Sequence, residues 1–226
     1  MFRLTGSVLV ILFMVAANTL AGEEKKRDHG LFNQQNQVGI RLGIWSNRGD
    51  SPLEIDTINL FETNFNDENF FFEAFYGFRL HSMLVGEISL GVVNRGSVTV
   101  REEGRENAGN VVLYTILGQG KLYPLSILRL PIHPYLTLGG GIFHGRRTVE
   151  FTTGDYFTAG LDEESGTDFS YTVGGGVDWP LGSRIGLELN MRYMSVDFSD
   201  RLMTISDYDA FTISVGIKYL YKSGKK

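Results

Sequence analysis

Four histidines, His29, His81, His133 and His144, are the residues best suited to acid–base work, because imidazole alone titrates near neutrality without help. A hydrolase or acyltransferase built on His, Ser and an acid needs its serine within hydrogen-bond reach. His29 lies in a charged stretch, and His81 and His133 fall beside short turns. Only His144 approaches the opposite end of its segment, and its nearest plausible serine, Ser195, belongs to a segment two places away. The absence of cysteine removes thiol nucleophiles and thiolate metal sites, and four histidines without clustered carboxylates form no specific transition-metal site. Gly139-Gly140-Gly141 and Gly174-Gly175-Gly176 sit inside alternating segments and open no helix, as a phosphate-binding loop must. No catalytic, cofactor-binding or metal-binding residue is assigned, and no cofactor is expected.

What remains is charge in an unusual place. Arg41, Arg79, Lys121, Arg192 and Lys218, against Glu73, Glu87, Asp178 and Glu188, occupy every second position of otherwise apolar stretches. That two-residue period belongs to strands and is incompatible with a helix. Val38, Ile40, Leu42 and Ile44 share one face, with Arg41 between glycines on the other. The same alternation recurs in segments opened by Phe71, Leu84, Val112, Pro134, Asp168, Ile185 and Phe211, which makes eight strands. Short connections fall at His81-Ser82, Pro124 to Pro131 and Pro180 to Ser183, and long ones near residues 46–69, 94–110, 145–167 and 197–208. An even number of antiparallel strands with short turns on one rim and long loops on the other is the layout of an eight-stranded up-and-down transmembrane β-barrel.

Charge and bulk decide which face points out. The apolar face holds no Asp, Glu, Lys or Arg, and its many aromatics would overfill an interior that just accommodates its own inward side chains. It therefore meets lipid. Phe72, Tyr114, Phe169, Tyr193 and Phe211 fall toward the long-loop rim, and Phe78, Trp179, Tyr219 and Tyr221 toward the short-turn rim, as two aromatic girdles. The inward charges are expected to pair and plug the lumen. Glu188 can meet Lys218 or Arg41, and Glu87 can meet Arg79 or Lys121.

The first residues direct export. Arg3 precedes an apolar run from Val8 to Ala17, followed by small residues to Gly22 and a charged stretch from Glu23 to Asp28. This pattern predicts a signal peptide over 1–21, a periplasmic segment over 22–36, a barrel over 37–221 and a short tail over 222–226. With 26 acidic and 21 basic residues the chain lacks the basic surface that nucleic acid requires. Much of the acid lies in the long connections, at Asp50, Glu54, Asp56, Glu62, Asp67 and Glu68, at Glu150, Asp155, Asp162, Glu163 and Glu164, and at Asp197, Asp200, Asp207 and Asp209. Such carboxylates form a solvated rim, or share the divalent cations that bridge lipopolysaccharide.

Pro134-Tyr135-Leu136-Thr137-Leu138-Gly139-Gly140-Gly141, and Tyr171-Thr172-Val173-Gly174-Gly175-Gly176-Val177-Asp178-Trp179 leading into Leu187 to Tyr193, resemble the small outer-membrane barrels of the OmpA-like, OmpX-like and OmpW-like superfamily. The resemblance is best over strands five to eight. It implies that Gly216, Tyr219 and Tyr221 form the C-terminal signal read by the barrel-assembly machinery. Outer-membrane lipids and lipopolysaccharide are the other expected partners, and a monomer in the Gram-negative outer membrane is the expected state. The expected function is a non-enzymatic structural or cell-surface interaction role. A narrow channel for small or hydrophobic solutes is the second reading, and an outer-leaflet lipid-modifying enzyme a distant third.

Overall fold

The computed structural model describes residues 36–48, 61–65, 68–81, 83–102, 105–125, 130–151, 160–202 and 205–221. The expected signal peptide, His29 and the 222–226 tail lie outside them. Eight strands form the wall: β1 (Asn36–Asn47), β3 (Glu68–His81), β4 (Leu84–Glu102), β5 (Arg105–Leu122), β6 (His133–Phe151), β7 (Gly160–Pro180), β8 (Ile185–Ser195) and β11 (Ala210–Tyr221). Three short strands, β2 (Phe61–Phe65), β9 (Asp197–Leu202) and β10 (Ile205–Asp207), lie in the connections. Each wall strand pairs antiparallel with its sequence neighbour in the wall, and β1 pairs with β11 from Asn36↔Tyr221 to Asn47↔Ala210, so the barrel closes on itself with eight strands. Closure leaves the wall no unpaired edge, which is what an apolar solvent demands of a sheet. No helix among the described residues is long and apolar enough to cross a membrane.

Alternation fixes the two faces. Leu42, Leu138, Phe169 and Tyr171 stand exposed on the outside at 56–75%, while Arg41, Glu73, Thr172 and Arg192 on the inside are fully buried. The predicted girdle residues Phe72, Phe78, Tyr114, Phe169, Trp179, Tyr193 and Phe211 all carry outward side chains.

The long connections differ from expectation. Residues 94–102, 105–110, 145–151 and 160–167 continue as strand: the β4–β5 ladder runs to Glu102↔Arg105, and the β6–β7 ladder to Phe151↔Gly160. A tilted strand crosses a bilayer with about 9–11 residues. β1 and β11 have 12 and β8 has 11, whereas β4, β5, β6 and β7 have 19, 18, 19 and 21. The long strands overshoot at the long-loop rim, and β2 adds to β4 there through Phe61↔Val100 to Phe65↔Gly96. The β7–β8 and β1–β3 ladders stop at Tyr171↔Ser195 and Ser46↔Glu68, so only part of the wall projects.

Candidate functional site: the barrel lumen

Register brings the inward charges into one row. Glu73 lies opposite Arg41, Arg41 opposite Gly216, Gly216 opposite Glu188 and Glu188 opposite Asp178, across β3, β1, β11, β8 and β7. On β4 and β5, Glu87 lies opposite Gln119, two positions from Lys121. Because the barrel is narrow, these side chains meet across its axis. Arg41 donates to Glu73 at 2.9 Å, to both oxygens of Glu87 at 2.7 Å, and lies 3.1 Å from Glu188. Lys121 bridges Glu87 and Glu188 at 2.7 Å each, and Arg192 meets Glu73 at 2.6 Å. Lys218 pairs with Asp178 and approaches Glu188 at 3.8 Å.

All eight of these residues are buried. Uncharged donors fill in around them: Gln119 donates to Glu87 at 2.6 Å, Tyr123 to Asp178 at 2.7 Å, and Tyr135 to Glu188. Asn190 donates to Tyr135 at 2.7 Å. Burial first, then the Asp178 carboxylate, hold the Tyr123 hydroxyl well above its ordinary value, so it stays a donor. Phe75 lies under the cations, with its ring centre 3.8 Å from the Arg41 guanidinium carbon and 5.3 Å from Lys121 Nζ.

Arg79 does not join them. Inward parity suggested it, but it stands two residues from the end of β3, is exposed, and its backbone N–H donates to Asn36 Oδ1 at 3.3 Å. Parity gives a face but not a height. Without Arg79 the buried set is four cations against four carboxylates, a neutral cluster.

Above the charges, toward the long-loop rim, the lumen turns mainly apolar, with the buried side chains of Asn69, Thr115, Thr172 and Thr212 among the apolar ones. Trp45, Phe71, Val111, Leu113, Phe143 and Met194 are buried there, with Trp45 packed 6.2 Å from Phe71 and 6.3 Å from Phe143 between ring centres. Arg192 lies 5.7 Å from the Phe71 ring and joins the two layers. This apolar layer and the donors Tyr123, Tyr135 and Asn190 were missed in the sequence. Trp45 shares the parity of Arg41, Phe143 that of Gly141, and Met194 that of Arg192, so the signal was present.

The remaining candidates sit apart. His144 faces outward, sharing a 2.7 Å hydrogen bond between its Nδ1 and Thr167 Oγ1 and lying 6.4 Å from the Tyr114 ring. The strand β7 stands between it and Ser195 on β8. No group of three or more His, Asp or Glu that would hold a metal occurs among the described residues. Gly216 faces inward, Tyr219 outward, and Tyr221 ends β11 opposite Asn36.

A closed barrel with a lipid-facing apolar wall and a buried polar interior defines an integral outer-membrane β-barrel protein. The sequence profile of the outer membrane protein beta-barrel domain family matches residues 7–219, and the chain belongs to that family. Its fold is similar to that of OprG from Pseudomonas aeruginosa, with 12% identity, a TM-score of 0.50, and 84% of this chain and 97% of that chain covered. Ail, the attachment invasion locus protein of Yersinia pestis, is similar at 15% identity and a TM-score of 0.48, over 83% and 99% of the chains. Neisserial surface protein A is similar at 12% and 0.49, over 82% and 96%. At these identities the likeness is one of fold. Among curated proteins no sequence gives a significant match.

Proposed function

We propose that the barrel is a sealed, non-enzymatic monomer that presents its projecting hairpins at the cell surface. The observation that carries the reading is Arg41: buried at the centre, it reaches carboxylates from β3, β4 and β8 at once. A cation tied to three walls blocks the axis. The layer around Trp45, Phe71 and Phe143 adds a second barrier, mainly apolar where the first is charged. Ions crossing would have to break paired buried charges and then shed their water, and both steps are costly.

In this reading the signal peptide delivers the chain to the periplasm, the assembly machinery takes the Gly216–Tyr219–Tyr221 end, and the short turns remain periplasmic. The girdled wall meets outer-membrane lipids, with lipopolysaccharide at the acidic long-loop rim. Two measurements test it. Proteoliposomes should take up small sugars and amino acids no faster than protein-free vesicles; rapid uptake would transfer support to the channel reading. An epitope placed between Phe151 and Gly160, where β6 and β7 connect, should be labelled by antibody on intact cells. Labelling only after permeabilisation would invert the orientation.

A further inference from the structure

One histidine is buried inside the barrel. Among the described residues His81 is exposed and His144 faces outward, whereas His133, the first residue of β6, is 2% exposed on the inner face. Register sets it directly opposite Asp178 on β7. Side chains so opposed stand with their Cβ atoms about 4.5–5.5 Å apart. Asp178 uses its two oxygens unequally. Oδ2 accepts from Tyr123 at 2.7 Å and from Lys218, whereas Oδ1 accepts from none of the described residues, although Asp178 is fully buried. A carboxylate oxygen left without a donor in the interior is costly. The ring across from it presents an N–H at both nitrogens once protonated, and a bond from that cation to a carboxylate is charge-assisted.

The surrounding charges are already matched, four against four. Titratable groups face this end of the lumen from most of the wall: Lys121 and Tyr123 from β5, Tyr135 from β6 itself, Asp178 from β7, Glu188 from β8 and Lys218 from β11. Glu87 of β4 lies further in, held by Arg41 and Lys121. The inward positions nearest the short-turn rim on β1, β3 and β4 are Gln37, Gly77 and Val85, which carry no charge, and Arg79 and Arg184 are exposed at the rim. Lys218 is held by Asp178, and Glu188, 3.8 Å from it, already serves Arg41, Lys121 and Tyr135. A fifth cation at His133 brings no anion of its own. It must share Asp178 with Lys218, and a buried charge that loses its share of a partner is strongly destabilising.

We propose that His133 is an acid sensor in the plug: on taking up a proton its imidazolium engages Asp178 through Oδ1, displaces Lys218 and loosens the short-turn end of the lumen. Imidazole is the side chain whose ordinary titration falls between about pH 5 and pH 8. The inference rests on the sealed reading above, and in that orientation the sensor faces the periplasm.

Planar-bilayer recording of the folded barrel at about pH 7.5 and about pH 5.5, on either side of the ordinary imidazole value, tests this, folding being checked by heat-modifiable gel migration. Wild type should be silent at the higher pH. At the lower pH its openings should be about tenfold or more frequent, one linked proton supplying up to about tenfold per pH unit. His133→Gln, which keeps a polar side chain and cannot take the charge, should be silent at both. His81→Gln, at the exposed histidine of the short-turn rim, should respond as wild type does. An acid response that persists in His133→Gln would overturn the proposal by giving the titration to a carboxylate. Wild-type silence at both pH values would overturn it too and leave the sealed reading standing, whereas steady wild-type openings at the higher pH would overturn both. Should His133→Gln fail to fold, the histidine nitrogen spectrum of wild type in lipid nanodiscs decides. There the His133 ring should pass from neutral to doubly protonated across the same window, and a ring that stays neutral at the lower pH would overturn the proposal.

Discussion

Glu188 accepts from more partners than any single replacement can restore. Arg41, Lys121, Tyr135 and, more distantly, Lys218 all reach it. Glu188→Ala leaves those cations facing each other without their common carboxylate. Removing one member of a fully buried pair typically costs about 3–5 kcal/mol, so the chemical unfolding midpoint in lipid vesicles should fall by that equivalent. Arg79→Ser, on an exposed side chain, should stay within about 0.5 kcal/mol of wild type in the same titration. If the two variants were equally harmful, the central cluster would not be the part that holds the barrel. Gly216 is the companion case. A Cβ built there would lie 2.9 Å from Arg41 Cγ and 3.0 Å from the Ile40 carbonyl oxygen, so the absent side chain is what lets Arg41 enter the row. Gly216→Val should therefore destabilise by about 1–3 kcal/mol through overpacking. Gly182→Val, with nothing within 4 Å of its Cβ, is the matched control and should be near neutral.

Strands were legible in the sequence because lipid enforces alternation where the wall crosses the bilayer. Val38 to Ile44 and Phe211 to Tyr221 show it plainly, and both emerge as β1 and β11. Beyond the bilayer the constraint lapses. Asn94 to Asn110 and Gly145 to Thr167 mix glycine, charge and hydroxyl residues, yet their ladders continue, because backbone hydrogen bonds need no apolar side chains. That is why projecting hairpins read as loops. It also changes which positions accept insertions: Glu163 and Glu164 pair with Thr148 and Arg147 inside the β6–β7 ladder. The lumen was readable in parity but not in depth, since alternation assigns Arg79 and Arg41 to one face without saying that one ends at the rim. Lipid contact itself is testable on β11. Val215 stands outward, sixth of the strand's twelve residues, and Ser214 beside it is buried inside. Val215→Arg should impair insertion by about 2–4 kcal/mol near the midplane. Folding of this variant into bilayers as efficient as wild type would reverse the two faces.

At the scale of the whole molecule, the proposed seal rests on two layers stacked in one barrel: a cluster of eight buried charges, four of each sign, and the apolar layer of Trp45, Phe71 and Phe143 toward the long-loop rim. Their chemistries fail differently. Loss of a carboxylate opens a polar path through the first, whereas Trp45→Ala leaves a cavity in the second. A large-to-small core change of this kind costs about 3–5 kcal/mol, and it should lower the unfolding midpoint with the charged cluster still in place. Eight wall strands of a family otherwise read by fold supply the frame, and the inward side chains decide whether it conducts. The most direct measurement is single-channel recording of the purified barrel in planar bilayers, wild type beside Glu188→Ala. The sealed account predicts a wild-type conductance at the level of the bare membrane and a measurable rise in the variant. A large, steady wild-type conductance that Glu188→Ala leaves unchanged would contradict it.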